Sequence, residues 1–205
     1  MVQIRGSSFN GIEWYEDGKG LNKINSFIDF ENSAKFLIRN NYTSPNQLVI
    51  HGGSAGGLLI GSCLNMNPQL YNVAIMNVPF VDIITTMLDD TMPLTIVEYE
   101  EWGNPNIKSN YDYMLKYSPY DNIDPKKNYP NIYITTGLND TAVHYSEPLK
   151  YFAKIRKSLV FQKNLKKIII QIKNTGHSGS NDRYEELLDF AKQYSFILKH
   201  NCKFD

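Results

Sequence analysis

The stretch Gln47-Leu-Val-Ile-His-Gly-Gly-Ser-Ala-Gly-Gly-Leu58 decides the fold of this chain. Its opening is rich in apolar and β-branched residues, which predicts a buried strand over residues 47–51. Glycines then surround a single serine, and an apolar run typical of a helix follows. The stretch therefore predicts a strand, a tight turn at Ser54 and a helix, in that order.

The turn carries the pattern G-x-S-x-G through Gly52, Ser54 and Gly56. Such a turn raises the serine hydroxyl above the sheet at unusual backbone angles, and the glycines avoid collisions with neighbouring backbone. The Ala55 N–H and the start of the helix then point toward a developing oxyanion. A glycine-rich phosphate-binding turn is the competing interpretation, but the Gly-Lys-Ser/Thr of a nucleotide loop is missing. We expect Ser54 to be a nucleophile and Ala55 an oxyanion donor.

Strands and helices alternate along the rest of the chain. Further elements are expected as strands at 73–78, 132–136 and 167–173, a partial strand at Val2, and helices at 24–39 and 184–198. This alternation predicts an α/β fold with a mostly parallel, doubly wound sheet. The alternation stops over residues 87–119, and we expect that segment to be an insertion near the active face.

Two residues that follow later strands complete a catalytic set with Ser54. Asp140 ends the loop Gly137-Leu-Asn-Asp140, and His177 lies in the glycine-flanked loop after the last predicted strand. The chain order of serine, acid and histidine matches that of hydrolase triads, in which the acid orients the imidazole that serves as base. Weaker candidates are Asp121 and Asp182 for the acid, and His51, His144 and His200 for the base. His51 falls inside a predicted buried strand, where a structural role is expected.

Composition excludes several function classes. The chain has 205 residues and a formal net charge of +0, which fits one domain and gives no basic surface for nucleic acid or membranes. No apolar run reaches the length of a membrane span. Cys63 and Cys202 have no metal-site spacing, which favours a reduced, cytoplasmic setting. The proposed chemistry implies no cofactor and no metal.

A set of further motifs resembles the prolyl oligopeptidase family of serine peptidases, and its oligopeptidase B branch in particular. The motifs are Trp14-Tyr-Glu-Asp-Gly18, Tyr42-Thr-Ser-Pro45, Val78-Pro-Phe-Val-Asp82, Thr85-Thr-Met-Leu-Asp89, Tyr117-Ser-Pro-Tyr-Asp121 and Thr135-Thr-Gly-Leu-Asn-Asp140. The resemblance implies that residues 1–205 are part of an α/β-hydrolase catalytic domain. It also implies a serine-type endopeptidase that cleaves short peptides through Ser54, Asp140 and His177.

The block Glu98-Tyr-Glu-Glu-Trp-Gly-Asn-Pro105 discriminates within the family, because it is similar to oligopeptidase B and absent from prolyl oligopeptidase itself. The resemblance implies cleavage after Arg or Lys, with Glu98 and Glu100 binding the basic side chain. Paired carboxylates suit a guanidinium and also attract an ammonium. Without the resemblance, the pattern of these glutamates and Glu101 favours a solvated charged face over a binding site.

The chain also departs from the family. Arg5-Gly-Ser-Ser-Phe-Asn-Gly11 stands where members usually have an arginine followed by three glycines and a glutamate. The family's N-terminal β-propeller, its first sheet strands and the upstream tyrosine that supplies a second oxyanion hydrogen bond have no counterpart in this sequence. Two hypotheses follow. The chain is a peptidase acting on short basic peptides, or it is a non-catalytic remnant or a piece of a split protein that needs an upstream chain.

Overall fold

The computed structural model describes residues 1–161 and 166–201. Within them the sheet strands are β1 (Val49–Gly53), β2 (Val73–Asn77), β3 (Asn131–Gly137) and β4 (Ile168–Lys173). The helices are α1 (Ile12–Glu16), α2 (Ile24–Arg39), α3 (Ala55–Met66), α4 (Ile83–Leu88), α5 (Tyr99–Trp102), α6 (Lys108–Leu115), α7 (Ser146–Phe161) and α8 (Arg183–Asn201). Short 3₁₀ turns occur at Gly20–Asn22 and Pro68–Leu70. Cys63 is buried, and Cys202 lies outside the described residues.

The sheet is parallel throughout, with spatial order β1-β2-β3-β4. Each strand pairs with the strand before it in the chain, and helices connect them, so the predicted α/β class is confirmed. Because parallel strands end at the same edge of a sheet, the loops that follow β1, β3 and β4 gather there. That edge carries the turn at Ser54 and the loops of Asp140 and His177.

Alternate residues of the strands contribute side chains to two apolar layers, one on each side of the sheet. Every residue of β3 is buried, as expected for a strand inside a parallel sheet. One layer packs the sheet against α2, α3 and α7, with Leu58 and Leu64 fully buried. The other layer is smaller and packs the sheet against α8 through Tyr133 and Phe196, whose rings lie 5.4 Å apart.

The expected partial strand at Val2 is wrong. Residues 1–4 of the described chain form no strand, and the chain is instead held against α2. The guanidinium of Arg5 donates two hydrogen bonds to Asp29 at 2.7 and 2.8 Å, and the Arg5 carbonyl accepts one from Ser26 at 2.6 Å. The Arg5 contacts draw this segment onto a helix, where no strand edge is available for pairing.

The predicted helix at 184–198 is present as α8, but its apolar stripe faces outward. The buried positions of α8 are Gln193 and Phe196. The exposed apolar side chains of this helix are Tyr184, Leu187, Leu188, Phe190, Tyr194 and Leu198, between 46% and 83% accessible. Periodicity therefore predicted the helix, whereas most of its apolar stripe meets no partner among the described residues.

Residues 87–119 contain the end of α4, then α5, α6 and connecting loops, and they contribute no strand to the sheet. Several of their side chains lie beside Ser54, including Met92, Leu94 and Glu98. In the described part of the chain, no helix combines the length and apolar character that crossing a bilayer requires.

Candidate active site

Ser54 lies between β1 and α3 with backbone angles φ 53° and ψ −121°. A residue other than glycine adopts such angles only where surrounding contacts impose them. Its N–H donates to the Asn77 carbonyl at 2.9 Å, and its own carbonyl accepts from Gly57 at 2.8 Å and Phe80 at 3.1 Å. Backbone groups of β2 and of the loop after it therefore hold the strained turn in place.

Two of the surrounding glycines are required by close backbone approach. A Cβ on Gly52 would lie 2.3 Å from the Gly56 carbonyl oxygen, and one on Gly57 would lie 2.3 Å from Pro79 Cβ. A Cβ on Gly56 meets nothing within 4 Å in the described chain, outside its own helix backbone. The expectation of a collision is met at Gly52 and is wrong at Gly56, because the tight contact falls one residue later.

Asp140 and His177 form a hydrogen-bonded pair. Asp140 Oδ2 lies 2.7 Å from His177 Nδ1, with the carboxylate side chain fully buried and the histidine side chain 29% exposed. Asp140 Oδ1 accepts from the Ala142 and Val143 amides, both at 2.9 Å. A carboxylate can only accept, so Nδ1 carries the proton and Nε2 is left as a base.

The acid and base loops are also joined through their backbones. The Leu138 amide donates to the Lys173 carbonyl at 2.8 Å, and the Asn139 amide donates to the Thr175 carbonyl at 3.0 Å. A side chain at Gly137 would lie 2.4 Å from Thr175 O, so only glycine permits this approach. The Asp140–His177 pair therefore rests on two strands that are already hydrogen-bonded neighbours.

The other acid candidates are used elsewhere. Asp121 accepts a hydrogen bond from the Ser118 hydroxyl at 2.6 Å. Asp182 accepts from the Tyr184 amide at 2.7 Å and so caps the start of α8. Within the described residues, neither carboxylate contacts a histidine.

The remaining histidines lie away from the Asp140 carboxylate. His51 is exposed on β1, so its expected burial is wrong, because β1 is an edge of the described sheet; its Nε2 lies 3.0 Å from Asn77 Nδ2. His144 is exposed, with Nδ1 2.8 Å from the Ser146 hydroxyl at the start of α7. The His200 ring packs on Phe196 at 4.7 Å.

Ser54 and His177 are not joined in this structure. Among residues 1–161 and 166–201, the Ser54 hydroxyl makes no hydrogen bond. Ser54 and Ala55 line a small cleft with Phe80, Thr86 and Val143, whereas His177 lines a neighbouring cavity of about 150 Å³. Ala55 is the first residue of α3, so its N–H has no acceptor within the helix.

The three glutamates of the acidic block lie in different environments. Glu98 lines the cleft of Ser54, and its Oε2 accepts from the Trp102 indole at 2.7 Å. The Glu100 side chain is 84% exposed, pairs with Lys19 at 3.1 Å, and is not among the residues that line this cleft. Glu101 pairs with Lys23 at 2.9 Å. The structure thus brings Glu98, but not Glu100, beside the candidate nucleophile.

Sequence reasoning missed Glu147, a buried carboxylate in the first turn of α7. Its Oε2 accepts from the Val81 and Asp82 amides at 3.1 and 3.0 Å, and its Oε1 accepts from the Thr86 hydroxyl. Burial raises the pKa of Glu147 from 4.5 to about 7. Its only sequence signal is an acidic residue at the start of a helix, which is also the common pattern of an exposed first turn.

A strand-to-helix turn at a strained serine, followed by an acid and a histidine on later parallel strands, defines the α/β-hydrolase fold. The sequence profile of the prolyl oligopeptidase family matches residues 1–203. The chain belongs to this family of serine peptidases.

Individual relatives agree with this assignment. The chain is 48% identical over 203 residues to "Protease 2" of Moraxella lacunata, covering 96% of this chain and 28% of that protein. It is 44% identical over 204 residues to "Dipeptidyl aminopeptidase BI" of Pseudoxanthomonas mexicana, covering 97% and 27%. The solved structure of oligopeptidase B from Leishmania major superposes with a TM-score of 0.91 at 46% identity, covering 97% of this chain and 27% of that one. The chain thus spans little more than a quarter of the length of these relatives.

Proposed function

We propose that the chain is part of the catalytic domain of a serine endopeptidase in which Ser54, Asp140 and His177 form the triad. The observation that carries the proposal is the 2.7 Å Asp140–His177 pair at the same sheet edge as the strained Ser54 turn. Both features match the roles that acyl transfer requires, namely an oriented base and a serine raised above the sheet. Family membership supports a peptide bond as the substrate.

In the proposed reaction, His177 Nε2 takes the Ser54 proton as Oγ attacks the peptide carbonyl. The Ala55 N–H donates to the resulting oxyanion. As the tetrahedral intermediate collapses, the imidazolium gives its proton to the leaving amine, and the acyl group stays on Ser54. Water, deprotonated by the same imidazole, then attacks the ester. The bond between the acyl carbon and Oγ breaks, the imidazolium returns its proton to Ser54 Oγ, and the acid is released. Asp140 keeps the imidazole in the tautomer that these steps use.

We further propose that cleavage follows an arginine or lysine, bound by Glu98 and Glu100. Glu98 supports this proposal because its carboxylate lines the cleft of Ser54. Glu100 has to leave Lys19 and turn inward to take part. The chain is 46% identical to oligopeptidase B from Leishmania major, and this similarity favours oligopeptidase chemistry on short peptides.

The alternative is a non-catalytic remnant, or a piece of a split protein that needs an upstream chain. The unmade Ser54–His177 hydrogen bond favours this alternative, together with the open edge of β1 in the described sheet. An upstream chain of this kind has to supply both the β-strands that pair with the open edge of β1 and the second hydrogen-bond donor to the oxyanion. We propose a cytoplasmic location for either form, on the basis of the two cysteines and their spacing.

Covalent labelling with a fluorophosphonate tests the proposed nucleophile. The parent chain is expected to react in a manner that Ser54→Ala abolishes and that Ser44→Ala, a control in the loop before β1, leaves unchanged. Substrates with arginine, lysine or a neutral residue before the cleaved bond then test the specificity. Labelling that survives in Ser54→Ala would refute the nucleophile, and equal turnover of neutral esters would refute the basic specificity. A folded chain that does not label favours the remnant.

A further inference from the structure

The Glu147 carboxylate joins two parts of the cleft beside Ser54. It is 3% exposed and receives three donors, the amides of Val81 and Asp82 and the hydroxyl of Thr86. All three belong to one segment, the loop after β2 and the following α4. Lys150, whose charge interacts with Glu147, pairs with Asp82 instead. A buried carboxylate that binds neutral donors of one segment acts as a clamp on that segment.

The clamped segment is also attached to the nucleophile turn. Three consecutive amides of the loop divide between the two sides. The Phe80 N–H donates to the Ser54 carbonyl at 3.1 Å, and the next two donate to Glu147. The loop starts at Val78, a β-branched residue at φ 42°, which is a strained angle for such a side chain. The backbone path from Ser54 to Glu147 therefore spans only Phe80, Val81 and Asp82.

Glu147 is also connected to the loop that carries Asp140, which precedes it in the chain. The Asp140 carboxylate binds the Ala142 and Val143 amides, and the Glu147 amide binds the His144 carbonyl at 3.0 Å. The cleft beside Ser54 lies between these two segments. Its lining from the clamped segment is Phe80, Thr86 and Met87, and its lining from the acid loop is Ala142 and Val143. Glu147 holds the two walls together.

We propose that Glu147 is a positioning residue that sets the separation of the two walls of this cleft and thereby the affinity for the substrate side chain. The inference rests on the proposed function. The raised pKa of Glu147 agrees with a role in geometry rather than charge, since burial and the neighbouring Asp82 charge both disfavour the ionised form. A neutral glutamine of the same length is then an adequate replacement, whereas a shorter aspartate with the same charge is not.

The test separates the cleft from the triad by using two probes. A small neutral fluorophosphonate reports the reactivity of Ser54, and benzamidine, which mimics an arginine side chain, reports the cleft by competing with that labelling. The variants are Glu147→Gln, Glu147→Asp and Glu147→Ala, with Glu31→Gln as the control. Glu31 is a buried glutamate on α2, paired with Lys35 and absent from the lining of the cleft.

The expected result is a selective loss of binding. Glu147→Asp and Glu147→Ala weaken benzamidine by about tenfold or more, because two or three hydrogen bonds to the wall are lost. The labelling rate without benzamidine falls by less than the benzamidine affinity, since Asp140 and His177 are untouched and the Phe80 amide binds the Ser54 carbonyl without passing through Glu147. Glu147→Gln and Glu31→Gln keep the benzamidine affinity of the parent.

Three outcomes overturn the inference. The first is an equal loss of labelling and of benzamidine affinity in Glu147→Asp. The second is benzamidine affinity that is kept in Glu147→Asp and lost in Glu147→Gln. The third is unchanged benzamidine affinity in all three variants. Should Glu147→Asp and Glu147→Ala not fold, Thr86→Val and Thr86→Ser give the same decision, since only valine removes the hydroxyl that Glu147 accepts. Parent labelling that does not depend on Ser54 overturns the proposed function, and the inference with it.

Discussion

At the scale of single residues, Glu147 occupies a place where charge is costly. Its carboxylate is buried, and the neighbouring Asp82 adds a second negative charge, although three hydrogen bonds offset part of this cost. The result is a pKa of about 7 instead of 4.5. A glutamate with this pKa changes its ionisation near neutrality, so it links the stability of the fold to pH.

This linkage predicts a fall in stability with rising pH. Because the pKa is raised in the folded state, the contribution of Glu147 is fully present below pH 4.5 and is lost as the pH rises through about 7. The shift corresponds to a decrease of about 3 kcal/mol in the free energy of unfolding. Glu147→Gln has no charge to acquire and is expected to lack this decrease.

Urea unfolding of the parent and Glu147→Gln, at several values between about pH 5 and pH 8, measures the difference directly. The other titrating groups are common to both proteins and cancel in the comparison. Parallel pH profiles in the two proteins would show that burial of Glu147 does not govern this linkage.

Chain order and strand position were enough to predict which acid and histidine meet. Asp140 and His177 each follow a strand, and adjacent strands place them 2.7 Å apart. Glu100 was not located by such reasoning, because the direction of a surface side chain depends on Lys19, about eighty residues away in the chain. Glu147 was missed because two of its three hydrogen-bond partners are backbone amides, which no residue type in the sequence identifies.

At the scale of elements, the turn at Ser54 depends on how closely α3 approaches the loop after β2. Pro79 lies against Gly57, so that a Cβ there would be 2.3 Å from Pro79 Cβ and 2.5 Å from its Cα. Neither atom can move without moving the backbone. The same loop supplies the Phe80 amide that binds the Ser54 carbonyl. The packing of α3 on this loop and the backbone geometry of Ser54 are therefore one constraint.

Gly57→Ala is accordingly expected to lower the free energy of unfolding by about 1–3 kcal/mol through overpacking. It is also expected to reduce fluorophosphonate labelling, because the displaced loop carries the Phe80 amide. Gly56→Ala is the matched control, since its Cβ meets open space and alanine favours a helix over glycine by about 0.5–1 kcal/mol. Equal stability of the two variants, measured by thermal unfolding, would contradict the importance of the Pro79 contact.

The strands inside the sheet could be predicted because burial on both faces leaves a nearly continuous apolar run. Residues 132–136 were predicted, and the observed strand Asn131–Gly137 is buried at every position. The partial strand at Val2 was wrong because a short apolar run carries no information about a pairing partner. In that segment the Arg5–Asp29 interaction decides the path.

At the scale of the whole molecule, the two sides of the described sheet are unequally covered. Helices α2, α3 and α7 cover one side, and α8 covers the other with Phe196 but leaves its apolar stripe in contact with water. Tyr184 is 83% exposed and Tyr194 is 62% exposed. Exposed apolar surfaces and open strand edges are both typical sites of association.

The chain at high concentration is therefore expected to self-associate through α8 and β1. Replacing Tyr184 and Tyr194 together by lysine is expected to reduce association, measured by sedimentation velocity, with little change in thermal stability. Phe196→Ala serves as the contrast, because Phe196 is 8% exposed and its truncation is expected to cost about 3–5 kcal/mol. Unchanged association of the double variant would show that this stripe is not the contact surface.

The composition of the chain could not predict that the two sides of the sheet are unequally covered. The repeating apolar positions of residues 184–198 indicate an amphipathic helix, and they do so whether or not a partner covers the stripe. Which side of a helix is buried depends on the elements that pack around it, and these are set by the whole fold.

The strand order has a consequence for how the protein is made. Each strand pairs with its predecessor in the chain, so every parallel unit can close as soon as its second strand leaves the ribosome. Growth of the sheet then proceeds in one direction, from the strand before Ser54 to the strand before His177. The Asp140–His177 contact forms last, after the serine turn has been fixed by Asn77 and Phe80. A nascent chain halted before β4 would carry the Ser54 turn without His177, so the proposed catalytic set would be assembled only once β4 has joined the sheet.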